Sequence, residues 1–417
     1  MELTILIRGS GDIGSAVAHR LFLAGYQVAL HDLPRPGHSR RGMAFVDALF
    51  DAVAILEGVT GRYAADPQKV TGLLMDHQGI PVSDAPFDLL CSEIRPDVVV
   101  DARMCKRIDP EAQLDLAPVT IGLGPGFEAG NHVRIAIETA RGGDLGAARW
   151  SGRTRDLCGE PCMLGDAGRE RFVYAPHAGR FQTSHALAES VTRGVQIGTL
   201  ENTALHAPLT GIVRGLSHTG AEVEAGSKII EIDPREHAPQ PFGLGERPRA
   251  IAEGVCRALQ ADAVDQSYFF GFETDKERRL VLIPMSIRLK LDTVELKISL
   301  KQWQQLPGPI RRTGLEMPCD LQSQVDAYRA YLTRTAACYM REAIEPVSPA
   351  EPVWRDDAVI PAAISEAALA HGLTPITPEQ WRQLTTLQRY ALIKLSRKGH
   401  TRNLPAAWAE FGLERNS

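Results

Sequence analysis

The 417-residue sequence predicts a multidomain chain in three parts, α/β, then β, then α. Three observations predict it. The chain opens on a strand, a glycine turn, a helix and a second strand; a pattern then repeats at a spacing of 32; and helix-start signals gather beyond about residue 265. The expected divisions are an α/β domain over 1–150, a β module over 151–235, a linker with a bridging helix over 236–264, and a helical domain over 265–417.

Leu3 to Ile7 is the short apolar run of a buried parallel strand. It enters Arg8-Gly9-Ser10-Gly11-Asp12-Ile13-Gly14, then a stretch with Val17, Leu21 and Ala24 at helical spacing, then Gly25 and a second apolar run ending at His31-Asp32. This is the order of a Rossmann-like parallel sheet. Gly9 would make the tight turn, Gly11 would let a pyrophosphate approach, and Gly14 would let the helix pack on the strand. Ser10 and Asp12 lie in the same turn, where the helix N-terminus offers N–H groups to an anion. Asp32 stands 23 residues after Gly9, where a ribose-binding acid is expected. NAD(P) or another nucleotide is the ligand this spacing suggests. The competing account is a turn that only packs helix on strand. Arg35, Arg40 and Arg41 either bind a phosphate or are solvated.

Arg40 to Leu56 has helical apolar spacing, and Asp97 to Val100 reads as another buried strand. The carboxyl ends of such strands are where ligands bind, which makes Asp101, Arg103 and Lys106 site candidates; the competing account is that Asp101 ties down a loop and the cations are solvated. Pro118 to Ile121 is a further strand. It feeds Gly122 to Gly130, four glycines in nine residues, followed by a helical Val133 to Ala140. Gly124 and Gly126 would form a second place where backbone amides face an anion.

From 173 to 234, Ala175-Pro176-x-x-Gly179 returns as Ala207-Pro208-x-x-Gly211, Val191-x-x-Gly194 as Val223-x-x-Gly226, and Ile197 as Ile229, each displaced by 32. Two equal halves of short strands, each too small to fold alone, imply a two-fold β structure. The pattern resembles the biotinyl/lipoyl barrel. In those carriers the turn between the halves bears the modified lysine, whereas Leu200 to His206 has none and Lys228 sits in a strand. The module is therefore expected to dock or shape rather than carry, with His206 and Asp233 structural. Before it, Cys158 and Cys162 have CxxxC spacing with no second ligand pair for a metal finger.

Beyond the linker and a bridging helix from Pro248 to Leu259, Ser299-x-x-Gln302 and Thr377-Pro378-Glu379-Gln380 read as capping boxes. Leu321 to Met340 and Pro361 to His371 are also helical in pattern. Lys394, Arg397, Lys398, His400 and Arg402 form a basic cluster, either complementing a helix C-terminus or docking an acidic partner.

A formal charge of −5 argues against a nucleic-acid partner. No apolar run reaches the length of a membrane span. The seven cysteines are odd in number and scattered, which disfavours a disulfide framework. The first strand begins at once, so no leader peptide and a cytoplasmic location are expected.

Leu6-Ile7-Arg8-Gly9-Ser10-Gly11-Asp12, Val100-Asp101-Ala102-Arg103-Met104, Ile121-Gly122-Leu123-Gly124-Pro125-Gly126-Phe127 and Ile232-Asp233-Pro234-Arg235 carry a resemblance over residues 1 to about 235. That region resembles the YqeB-type accessory proteins of selenium-dependent molybdenum hydroxylase systems. It departs at Arg141-Gly142-Gly143, where a histidine would end the motif. From about 268 onward, Phe270-x-Phe272-Glu273, Ile283-Pro284-Met285, Met317-Pro318-Cys319 and Leu387 to Ser396 resemble the nitrate reductase-associated protein family, with Leu282 where a cysteine is expected.

Both resemblances imply a molybdenum-enzyme context. The expected role is an accessory or maturation protein that binds a nucleotide or a molybdopterin-type, phosphate-bearing ligand. Its partner would be a molybdoenzyme apoprotein or its assembly machinery. Arg103 and Lys106 would clamp the phosphate. Cys105, beside Arg103, Lys106 and Arg107, would be the nucleophile for any sulfur or selenium insertion, since neighbouring cations favour a thiolate. The alternatives are an NAD(P)-dependent oxidoreductase, for which no proton-donor pairing is evident, and a non-catalytic scaffold. Whether the chain is an enzyme stays open at this point.

Overall fold

A computed structural model of the chain describes residues 3–105, 109–156, 161, 163–235, 237, 240–260, 266–347 and 352–413. The chain divides into two compact units, Met1–Ala258 and Leu259–Ser417. The nine-stranded sheet and the two four-stranded sheets lie in the first unit; the second is mostly helical, with one two-stranded sheet of Leu296–Lys297 and Glu345–Pro346.

The strand Thr4–Arg8 lies at the middle of a nine-stranded sheet. On one side it pairs with Gln27–His31, followed by Ile80–Ser83, Val59–Tyr63 and Val53–Leu56. On the other it pairs with Val98–Asp101, followed by Val119–Leu123, Ile135–Ile137 and Ala148–Arg149. All pairings are parallel except those of the two outermost strands. Ile5, Leu6, Ile7, Val98, Val100, Val119 and Ile121 are fully buried, as strands covered on both faces must be. In this register Arg8 is the partner of Asp101, so the carboxyl ends of the two central strands lie side by side.

Two helices expected from apolar spacing are not formed. Val133 to Ala140 contains the strand Ile135–Ile137 instead. Val133, Ile135, Ala136 and Ile137 are all completely buried, so consecutive residues face apolar surroundings on both sides. A short apolar run of that kind fits strand or helix by period alone, and its β-branched residues fit the strand. Arg40 to Leu56 breaks into a turn at Arg41–Met43, a short helix at Ala48–Asp51 and the strand Val53–Leu56. Ala52, at φ 66°, stops the short helix.

Eight further strands of the first unit form two four-stranded antiparallel sheets. One runs Phe172–Tyr174, Lys228–Asp233, Gly211–Leu216, Ser190–Val191; the other runs Thr203–His206, Gln196–Leu200, Gly179–Gln182, Glu222–Val223. Phe181, Ile197, Leu200, Val213, Leu216, Ile229, Ile230 and Ile232 fill the space between them.

In the second unit, Ser299 and Thr377 cap their helices as the sequence signals indicate, and Thr385 does the same for Thr386–Leu395. Its core is built on Ile364, Trp381, Leu392, Leu404 and Trp408. The Nζ of half-buried Lys290 donates to the carbonyls of Leu315 and Met317, closing the end of the helix Gly308–Glu316; desolvation of the ammonium lowers its pKa to about 8. Among the described residues, no helix is long and apolar enough to cross a membrane.

Candidate functional site

Gly9 adopts φ 107°, a conformation that favours glycine, and its N–H donates to the His31 carbonyl at 2.7 Å. A Cβ at Gly9 would stand 2.9 Å from the Ala102 carbonyl oxygen, and one at Gly14 only 1.9 Å from the Gly9 carbonyl oxygen. These two glycines therefore set the turn and seat the helix Asp12–Leu23 against it. Gly11 is different. A Cβ there would stand 3.2 Å from Nδ1 of His38, so the face meant for a pyrophosphate is occupied by an imidazole.

Asp32 does not point outward. Its Oδ2 accepts from the Ser10 N–H at 2.6 Å, from the Ser10 hydroxyl at 2.7 Å and from His38 Nε2 at 2.8 Å, while Oδ1 accepts from the Leu33 N–H at 2.8 Å. The Ser10 carbonyl in turn accepts from the Ser15 hydroxyl, which receives the Phe45 N–H. Burial opposes ionisation of Asp32, but His38 and the two Ser10 bonds outweigh it and hold the carboxyl far below the usual range. Burial likewise disfavours the His38 cation, and the Asp32 carboxylate outweighs this to raise its pKa. Asp12 accepts from the Ile13 N–H at the helix start and adds a second carboxylate to the mouth. Two carboxylates and a filled glycine face do not fit a phosphate.

The segment 33–41 acts as a strap that holds His38 in place. Its ties run to the antiparallel strands: Arg35 and Gly37 carbonyls accept from Glu222 N–H and Ser217 hydroxyl, and the Ser39 carbonyl from the Leu216 N–H. Arg40 forms an ion pair with buried Glu231, which also meets buried Arg171. Arg41 pairs with Asp47 at 2.6 Å. Arg40 and Arg41 are thus engaged inside the protein rather than offered to a ligand.

A second cluster sits beside the first at the carboxyl edge. Buried Asp101 accepts from Arg103 at 2.6 Å and from Gln113 at 2.6 Å. Arg103 also meets Glu111 at 2.8 Å, and Arg8 meets Glu111 at 2.7 Å with its guanidinium 4.2 Å over the Phe87 ring. Burial pushes Asp101 up, but Arg103 and Gln113 hold it below the ordinary carboxylate value. Asp101 is therefore an anchor, and Arg103 is the cation it presents at the edge. Cys105 is exposed with a free thiol. Lys106 and the Cys158/Cys162 pair lie outside the described residues.

Gly124 and Gly126 follow the strand Val119–Leu123 at the same edge, two strands away. The loop leads to strands, so no helix N-terminus stands behind its amides. A Cβ at Gly124 would stand 2.7 Å from Thr139 Oγ1, which accounts for the glycine by packing. Buried Glu138 organises the following turn, accepting from Thr139, Ala140 and Arg155 N–H groups. His38, Gln113 and Glu111 went unrecognised in the sequence because no local motif marks them; only the strap and the edge bring them in.

A groove of about 400 Å³ lies elsewhere, lined by Arg41, Asp47, Ile55, Leu187 and Phe242 among others; of the candidates read from the sequence, Arg41 borders it, and there it is paired with Asp47. Among the described residues, no group of three or more His, Cys, Asp or Glu side chains is placed to hold a metal ion.

Residues 269–411 match the family model of the conserved nitrate reductase-associated protein. The chain is also 38% identical over 255 residues to the uncharacterized protein YqeB of Escherichia coli (strain K12), which is 61% of this chain and 47% of that protein. The chain thus spans about half the length of that curated relative. Among solved structures, a succinylglutamate desuccinylase/aspartoacylase from Rhodobacter sphaeroides aligns at 14% identity with a TM-score of 0.17, covering 55% of this chain and 85% of that one. A succinylglutamate desuccinylase from Silicibacter sp. TM1040 aligns at 16% identity with the same TM-score, over 55% and 84%.

Proposed function

We propose that this chain, which joins a YqeB-like N-terminal part to a nitrate reductase-associated C-terminal part, is an accessory protein of a molybdoenzyme of the nitrate reductase or hydroxylase type. The observation that carries the proposal is the joining itself. The two resemblances, read from separate stretches, imply the same class of target, and a single chain that holds both is suited to bringing that target to something else. We read the first unit as a shaping and docking element and the second as the part that meets the target.

The arrangement of the first unit supports this reading over catalysis. The parallel order about Thr4–Arg8 suits a Rossmann-like domain, but its glycine face is filled by His38 and its acid is engaged by Ser10. We also read 173–234 as a two-fold barrel module. In support, Gly194 N–H donates to Ala207 and Gly226 N–H to Ala175, while Phe181 N–H donates to Ala221 and Val213 N–H to Glu189. Adding 32 to the residues of one half turns each bond into its counterpart with the halves exchanged. Lys228 lies 3.6 Å over the Phe172 ring, a packed position unlike that of a carrier lysine.

A second reading is favoured by Arg103, a half-buried cation at the edge where the two central strands end. On it, a nucleotide or molybdopterin-type ligand enters at Gly9, Ser10, Gly11 and Gly14 once the strap 33–41 lifts. Mass spectrometry of small molecules released from the purified full chain, with titration by nicotinamide and adenine nucleotides, tests both. No released ligand and no nucleotide binding is the expected result. A released pterin would establish the second reading. A bound dinucleotide with turnover of a small substrate would replace both with an oxidoreductase.

A further inference from the structure

We infer that the turn joining helices Thr386–Leu395 and Leu404–Glu410 is a docking surface for an acidic protein segment. The thirty residues between Glu379 and Glu410 contain no Asp or Glu, yet carry Arg382, Arg389, Lys394, Arg397, Lys398 and Arg402 in a chain of net charge −5. The structure sorts these six cations into two kinds. Arg389 is buried and donates to the carbonyls of Trp354 and Leu384, and Lys394 pairs with Asp292 at 2.6 Å. Both are engaged in holding the unit together. Arg382, Arg397, Lys398 and Arg402 are exposed, and none of their side chains meets an acid among the described residues.

Complementing a helix C-terminus accounts for only one of the six. That effect fades beyond the last turn, where Lys394 already stands; Arg397, Lys398 and Arg402 lie past the helix end at Leu395. The turn presenting the patch is fixed. Ser396 Oγ donates to the Leu392 carbonyl at 2.7 Å, His400 N–H to Arg397 at 2.9 Å, and Leu392, Leu395, Leu404 and Trp408 anchor it from below. Exposed cations held on a rigid turn, with their counter-ions missing from the same chain, suit an oppositely charged partner.

An acidic protein fits better than a nucleic acid. The aromatic residues of this stretch, Trp381, Tyr390 and Trp408, are all buried, leaving no ring on which a base could stack. The inference rests on the reading of Leu259–Ser417 as the partner-facing part, but it names a surface that can be tested without any molybdoenzyme.

The test uses the full chain and fluorescent poly-L-glutamate, with binding followed by anisotropy at low and at physiological salt. Saturable, salt-sensitive binding is expected, weakened about tenfold or more by the combined Arg397→Glu, Lys398→Glu and Arg402→Glu substitutions. Reversal of two exposed cations elsewhere, Arg95→Glu and Arg193→Glu, should leave it unchanged. Absence of saturable binding, or equal weakening by the two sets, would overturn the proposal. Tighter binding of a DNA duplex than of poly-L-glutamate would reassign the patch to nucleic acid. Because all five substituted side chains are exposed, thermal melts should match wild type, and failure here would leave the released-ligand experiment on the first unit unaffected.

Discussion

The two glycine loops of the first unit begin alike and end differently. Each leaves the carboxyl end of a buried parallel strand, Thr4–Arg8 in one case and Val119–Leu123 in the other. The first passes into a helix of twelve residues; the second passes into short strands. Their contacts differ too. Gly9 and Gly14 face backbone atoms of Ala102 and Gly9, whereas Gly122 and Gly124 face the side chains of Phe127 and Thr139, and nothing stands within 4 Å of a Cβ at Gly130. Backbone cannot move aside and side chains can. Glycine density thus marks places where the chain must come close to itself, and closeness to a ligand is a separate matter.

The sharpest way to break this contrast is Gly14→Ala. With its methyl 1.9 Å from a carbonyl oxygen, the helix must shift, and a loss of about 3 kcal/mol or more is expected in urea denaturation. A variant as stable as wild type would show that the seat of the helix is soft.

Asp32→Ala should come next. It removes the acceptor of Ser10 N–H, Ser10 hydroxyl and His38 together, with an expected cost of about 2 kcal/mol. Gly130→Ala probes the second loop, where there is space but φ is 90°, and should cost about 1 kcal/mol from backbone strain alone.

The smallest effect concerns pH. His38 has a raised pKa in the folded protein, so its ion pair with Asp32 contributes fully below the ordinary histidine value of 6.5 and is lost as pH rises through the raised one. The urea midpoint of the wild type should therefore fall across that interval relative to His38→Gln. Parallel profiles for the two proteins would remove the latch between strap and turn.

Much of the first site was legible locally. The tight turn at Gly9 and the packing of Gly14 follow from their spacing, and both are met by contacts within the same dozen residues or with the adjacent strand. Asp32 was read as a ribose-binding acid from its spacing; in the structure its Oδ2 accepts from the Ser10 N–H and hydroxyl. Asp101 and Arg103 were read as site candidates at the edge; that Asp101 grips Arg103 and Gln113 depends on how the chain turns after the strand and returns twelve residues later. Val133 to Ile137 misled because its apolar period suits either a helix or a strand buried on both faces, and only the vacant place beside Val119–Leu123 decides between them.

By itself the sequence determined the order of strand, turn and helix about Gly9 and the capped helices of the second unit. Each of these is written in interactions between residues a few positions apart. The tertiary structure decided whether the glycine face stays open, because His38 is held there by ties such as that between Gly37 and Ser217, which stand 180 residues apart. A pattern within one helical turn cannot encode such a tie. It arises when the antiparallel sheets pack against the strap, and that packing places a ring where the motif alone would have placed a phosphate.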